Sequence, residues 1–180
     1  MPGNKPVTPP FDEIPVSTKT VIARTNATYN IQNLFDKLPV QPYVVIPKKR
    51  GSRKKAHIPT VDPNAHLPDG SIVTLKFFEA TRGTDLKKKK STKYFRNALS
   101  VVMRVGGKLV NFKLSKNGKF QMTGVKTNSH AVDCVKYIWK YIMDTGDHTL
   151  YELNGEDLDV VVKVVMTNID FSLGFAVHRA

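Results

Sequence analysis

A chain of 180 residues, 41% apolar and 24% charged, is long enough to bury one core, which excludes a wholly disordered or collagen-like polymer. No run of about 18 apolar residues occurs, so no segment is fit to span a bilayer, and a lone cysteine, Cys134, excludes an internal disulfide framework or a thiolate metal cluster. Against 15 Asp+Glu stand 28 Lys+Arg, a formal net charge of +13 that favours a polyanionic partner, nucleic acid foremost.

Residues 1–15 are proline-rich, lack the apolar stretch of a secretory signal and are expected to be a disordered leader. From Ser17 to Ala23 a run containing Val and Thr predicts a short strand. Asn30 then offers a helix N-cap, and Ile31, Leu34, Phe35 and Leu38 recur at i, i+3, i+4 and i+7, one apolar stripe that Pro39 stops. A helix this short depends on docking for its stability. Residues 39–93 read as a positively charged, mobile insertion flanking one strand, Ser71 to Phe78. It carries two basic clusters. Lys48, Lys49, Arg50, Arg53, Lys54 and Lys55 suit nuclear localisation or phosphate tracking, while Lys87 to Lys90 suit a solvated turn.

The clearest pattern lies in residues 95–143, where nine basic residues stand against one acidic residue. Leu99, Val101, Met103 and Val105 alternate with Ser100, Val102 and Arg104. Gly106-Gly107 can supply a two-residue hairpin turn, and Val110, Phe112 and Leu114 then alternate with Asn111, Lys113 and Ser115. Asn117-Gly118 predicts a type I′ turn into a third strand, in which Phe120 and Met122 alternate with Lys119, Gln121 and Thr123. Asn128 or Ser129 caps a following helix with the stripe Ala131, Val132, Val135, Ile138, Trp139 and Ile142. That stripe has to cover the apolar side of the meander, since neither element buries itself alone. The other side is left open, and its expected members are Ser100, Val102, Arg104, Asn111, Lys113, Ser115, Lys119, Gln121 and Thr123, whose charges are all positive. An acidic connector, Asp147 to Asp159, precedes a further strand, Val160 to Phe171. The predicted class is α+β, with a curved antiparallel sheet and its helices on one face.

The segment Asn117-Gly118-Lys119-Phe120-Gln121-Met122-Thr123-Gly124-Val125-Lys126 resembles the SGKMVCTGAK stretch of the TATA-box-binding protein family. Val101-Val102-Met103-Arg104 is similar to its VIMR, and Thr167-Asn168-Ile169 to the QNM that opens its second repeat. The basic insertion makes the likeness greatest to the divergent factors of large DNA viruses. The resemblance implies a half-saddle, residues 16–146, followed in 147–180 by the start of an incomplete second repeat. It implies a non-enzymatic transcription factor that grips double-stranded DNA in the minor groove, with transcription-factor or polymerase subunits on its helices and a second copy or second repeat completing the saddle. Carried over residue by residue, Arg104, Lys119 and Lys126 match basic positions near phosphates, Thr123 a base-edge threonine and Asn168 the central asparagine; Lys113 and Gln121 join them from the alternation. The family's kinking phenylalanines fall on Ala98 and Ser115, with Phe95 and Phe112 displaced, and a family valine falls on Asp170. A protein-interaction scaffold, or an architectural DNA-binding protein without TATA bending, is therefore the alternative expectation.

Catalysis has no visible support. His57, His66, His130, His148 and His178 lack metal-ligand spacing, Gly106-Gly107 lacks the Lys-Ser/Thr of a phosphate-binding loop, and the acids concentrate in 144–170. No cofactor and no membrane association is expected, and the site of action is expected to be the nucleus, or the cytoplasmic factory or virion if the chain is viral.

Overall fold

A computed structural model describes residue 10 and residues 13–45, 62–86 and 95–170. Both basic clusters and most of the leader lie outside the described residues.

Strand β1 (Val16–Thr25) leads through the short β2 (Ala27–Tyr29) into helix α1 (Ile31–Lys37). The Asn30 side chain caps α1, accepting from the Asn33 N–H at 3.2 Å, and the stripe Ile31, Leu34 and Phe35 is buried. Strands β3 (Ile72–Phe77) and β4 (Ala80–Gly83) follow, then the meander β5 (Ala98–Val105), β6 (Lys108–Ser115) and β7 (Lys119–Val125). Helix α2 (Asn128–Thr145) precedes β8 (Tyr151–Leu153) and β9 (Val160–Ile169). Among the described residues seven strands form one antiparallel sheet in the order β4-β3-β5-β6-β7-β1-β9, while β2 and β8 pair separately at its flank. The class is α+β, as expected.

The alternation of the meander sets which side is buried. Leu99, Val101, Met103, Val105, Val110, Phe112, Leu114, Phe120 and Met122 join one core cluster with α1 and with Ala131, Cys134, Val135, Ile138 and Ile142 of α2. Each of these five helix positions is completely buried, and sinking a large aliphatic side chain this way is worth about 1.5–3 kcal/mol. Trp139 is only partly buried and stacks edge-on against Tyr151, ring centroids 4.8 Å apart. Among the described residues no helix is long and apolar enough to cross a membrane.

Four local expectations need correction. The α2 cap is Thr127, one residue before Asn128; its hydroxyl accepts from the His130 N–H at 3.4 Å. The β6–β7 connection has three residues, not two. Gly118 alone adopts positive φ (73°) and its N–H returns to the Ser115 carbonyl at 3.1 Å, whereas a type I′ turn needs positive φ at both central residues. By contrast, Gly106 and Gly107 take φ of 58° and 70°, the two-residue turn expected of them. The acidic connector is structured: Asp147 opens a short 3-10 turn, His148–Leu150, and β8 follows. Finally, the described residues of 39–93 carry two strands rather than one, and both belong to the main sheet. Ile72 and Leu75 are buried in the common core, because β3 supplies the partner that β5 needs on its outer edge.

Candidate nucleic-acid interface

Residues paired across an antiparallel ladder share one side of the sheet, so the register assigns the side opposite the helices directly. One row crosses six strands: Lys76 of β3, Ser100 of β5, Lys113 of β6, Gln121 of β7, Ile22 of β1 and Lys163 of β9. A second row holds Thr74, Val102, Asn111, Thr123, Thr20 and Met166. A third, shorter row aligns Lys119, Arg24 and Val161. Asn168 pairs with Thr18 beyond the second row, and its side-chain amide donates to the Thr18 hydroxyl at 2.9 Å.

The predicted residues thus divide. Lys113, Lys119, Gln121, Thr123 and Asn168 come together on one surface. The Lys113 ammonium lies 3.3 Å from the centroid of the exposed Phe95 ring, a cation–π contact at the border of the face. Arg104 is on the same side, but its side chain is only 15% exposed. Its guanidinium donates to the Asn64 carbonyl at 2.6 Å and lies 3.5 Å from the Asp62 carboxylate. Lys126 falls outside the rows, just past β7. It lies beside Lys108, whose pKa is lowered by a side-chain hydrogen bond to Lys126 and by repulsion from that ammonium. Lys48, Lys49, Arg50, Arg53, Lys54 and Lys55 lie outside the described residues. Of the two positions where the resemblance would place phenylalanines, Ala98 is buried and Ser115 half-buried, and Phe112 belongs to the core.

The expected open face is also roofed at one corner. Leu67, Val73 and Val102 form a second small apolar cluster, with Tyr43, Leu86 and Leu109 packed against it. The roof is pinned to the sheet: the Gly70 N–H donates to the Arg104 carbonyl at 2.7 Å, and the Gly106 and Gly107 N–H groups donate to the Asp69 carboxylate at 3.0 and 3.3 Å. Val102 is therefore 9% exposed, where the alternation predicted an open position.

Several members of the surface were not singled out from the sequence. Thr20, Ile22 and Arg24 of β1 and Val161, Lys163 and Met166 of β9 extend it beyond the meander. The signal was legible as alternation against Val21 and Ala23 and against Val162 and Val164, but an extra residue in β9 opposite Thr20/Val21 changes the parity of that strand between Val164 and Met166. No Asp or Glu occurs in β1, β6, β7 or β9.

A cleft of about 430 Å³ lies at the other end of the molecule, lined by Arg96, Asn97, Lys116, His148, Tyr151 and Glu152 among others. Glu152 is the one carboxylate among the described residues that line it, and it accepts from the Thr28 hydroxyl at 3.4 Å. Burial pushes the Cys134 thiol up to about 12, so it stays protonated near neutral pH.

A protein of Acanthamoeba polyphaga mimivirus named TATA-box-binding protein-like is 30% identical over 144 residues, 64% of this chain and 37% of the viral protein. The chain therefore spans little more than a third of that relative's length, and the likeness supports a distant relationship. No family model and no solved structure matches.

Proposed function

We propose that the chain is a non-enzymatic, double-stranded-DNA-binding protein of the TATA-box-binding-protein-like kind, acting in transcription. The observation that carries this is the exposed side of four adjoining strands free of acidic residues, bearing Lys113, Lys119, Gln121, Thr123 and Asn168. The name of the mimivirus relative points the same way.

In this reading lysines neutralise phosphates and release counterions, which supplies most of the affinity. Gln121, Thr123 and Asn168 offer amide and hydroxyl groups to base edges, where the minor groove allows coarse discrimination of A·T from G·C. Residues 16–146 act as a first repeat and β9 opens a second, so another repeat or a second copy completes a curved saddle. Lys48, Lys49, Arg50, Arg53, Lys54, Lys55 and Lys126 add charge around the duplex, and the outer sides of the helices face transcription-factor or polymerase subunits. The work is done where the template is: the nucleus, or the factory or virion of a virus.

The test is duplex binding by the full chain across a series of salt concentrations. Replacing Lys113 and Lys119 together by alanine should reduce the slope of log affinity against log salt by roughly 2. A tighter grip on A·T-rich than on random duplex supports the promoter role. Wild-type protein that binds no duplex at low salt rejects it and favours the second reading, a protein-interaction scaffold. One observation favours that second reading: among the described residues no strand covers the outer edge of β9, and such edges invite another chain.

A further inference from the structure

Three cations on the exposed side have no hydrogen bond or ion pair among the described residues: Arg24, Lys119 and Lys163. Arg24 and Lys119 are directly opposed partners in the β1–β7 ladder. Like charges in that relation destabilise a sheet, and no described carboxylate offsets this pair. Lys163 stands across β1 from Gln121, in the row next to Arg24. Adjacent strands are about 4.8 Å apart, so these charges sit on three neighbouring strands within a span of roughly 10 Å. Their neighbours in the ladders are neutral: Thr20, Ile22, Gln121, Thr123 and Val161.

The opposite corner shows the reverse arrangement. Arg104 and Lys76 are already neutralised within the fold, the first by Asp62 and the Asn64 carbonyl, the second by Asp85 at 2.6 Å. The roof of Leu67, Val73 and Val102 closes the surface between them.

We propose that Arg24 and Lys163, with Lys119, form the principal phosphate-contacting clamp of this protein, on the β7-β1-β9 side of the sheet, and that the Arg104 corner is closed to the duplex. The assignment rests on the DNA-binding reading and adds to it where on the sheet the polyanion runs. The opposed pair is then a cost of the free protein that a phosphate relieves on binding, because an anion between two cations turns repulsion into attraction.

The experiment measures binding of the full chain to a duplex of fixed sequence at five or six salt concentrations, with a melting curve for every variant. Arg24→Ala with Lys163→Ala should flatten the salt slope by about 1.8, two phosphates at about 0.9 each. Arg24→Glu should weaken binding further while melting no lower than wild type, because a carboxylate opposite Lys119 replaces a repulsive pair by an attractive one. A merely structural arginine would not separate the two readouts in this way. Arg104→Gln should leave the slope unchanged. A wild-type slope in the Arg24/Lys163 double variant, or a loss of about 0.9 in Arg104→Gln, overturns the clamp while leaving duplex binding itself intact. Absence of binding by the wild-type chain overturns the clamp and the DNA-binding reading together.

Discussion

The Arg104 guanidinium donates to the backbone carbonyl of Asn64 at 2.6 Å, tying the end of β5 to the segment that roofs one corner of the sheet. Because the side chain is largely shielded and Asp62 lies 3.5 Å away, this contact belongs to the stability of the fold. Arg104→Ala leaves a buried carbonyl without its charged donor, so unfolding free energy should fall by about 1–2 kcal/mol. Chemical denaturation measures it. An unchanged midpoint would show that the roof needs no such tie.

Gly118 and Gly107 both hold positive φ, 73° and 70°, but their surroundings differ. A Cβ on Gly118 collides with the Ala27 carbonyl and stands 2.6 Å from the Thr25 hydroxyl, whereas on Gly107 it meets nothing within 4 Å. Gly107→Ala should cost only the left-handed strain, about 1–2 kcal/mol, and Gly118→Ala clearly more. Equal losses in thermal melts would count against the tight β6–β7 turn.

Phe120 is fully buried, with its ring 6.1 Å from Tyr29 in an edge contact and 5.9 Å from Phe112. It joins the inner side of β7 to the strand that precedes α1. Phe120→Ala should destabilise by about 3–5 kcal/mol, read from urea unfolding. A loss below about 1 kcal/mol would mean that the site collapses freely or is not core.

The Asp147 carboxylate is held well below its ordinary value of 3.8, first by hydrogen bonding to Lys37, then by the Thr149 hydroxyl and N–H. A depressed carboxyl stabilises the fold above its unfolded pKa, and the contribution disappears as pH falls through the folded value. Wild type should therefore lose stability between about pH 4 and pH 2 more steeply than Asp147→Asn. Parallel pH curves for the two would exclude Asp147 as a contributor.

The Cys134 thiol is completely buried and, through burial first and the Asp133 charge second, raised to about 12. It should resist a thiol reagent at about pH 8 in native buffer and react at once in denaturant. Rapid labelling of the native protein would show that α2 is not seated on the sheet.

Local patterns made much of this legible in advance. Period-two alternation over residues 99–123 specified three strands and their inner side, because a one-residue slip would expose every apolar side chain. The helical stripe through Ile138 specified what covers them. Turn and cap details were less legible, since Thr127 against Asn128, or a three-residue against a two-residue loop, differ by fractions of a kcal/mol in local preference while packing decides between them.

What the amino-acid order determined by itself was the element types, the inward residues and an excess of positive charge on the side left over. Tertiary structure alone decided which of those charges remain available. Arg104 and Lys119 read identically as outward positions, yet the first is shielded by a segment some 40 residues away and the second stands opposite Arg24 on the open side. Likewise Arg24 and Lys163 are separated by most of the chain and become neighbours only because β1 pairs with β9. Alternation is a property of one strand and can be read along it. Neutralisation is a property of pairs brought together by non-local contacts, which the chain acquires only on folding.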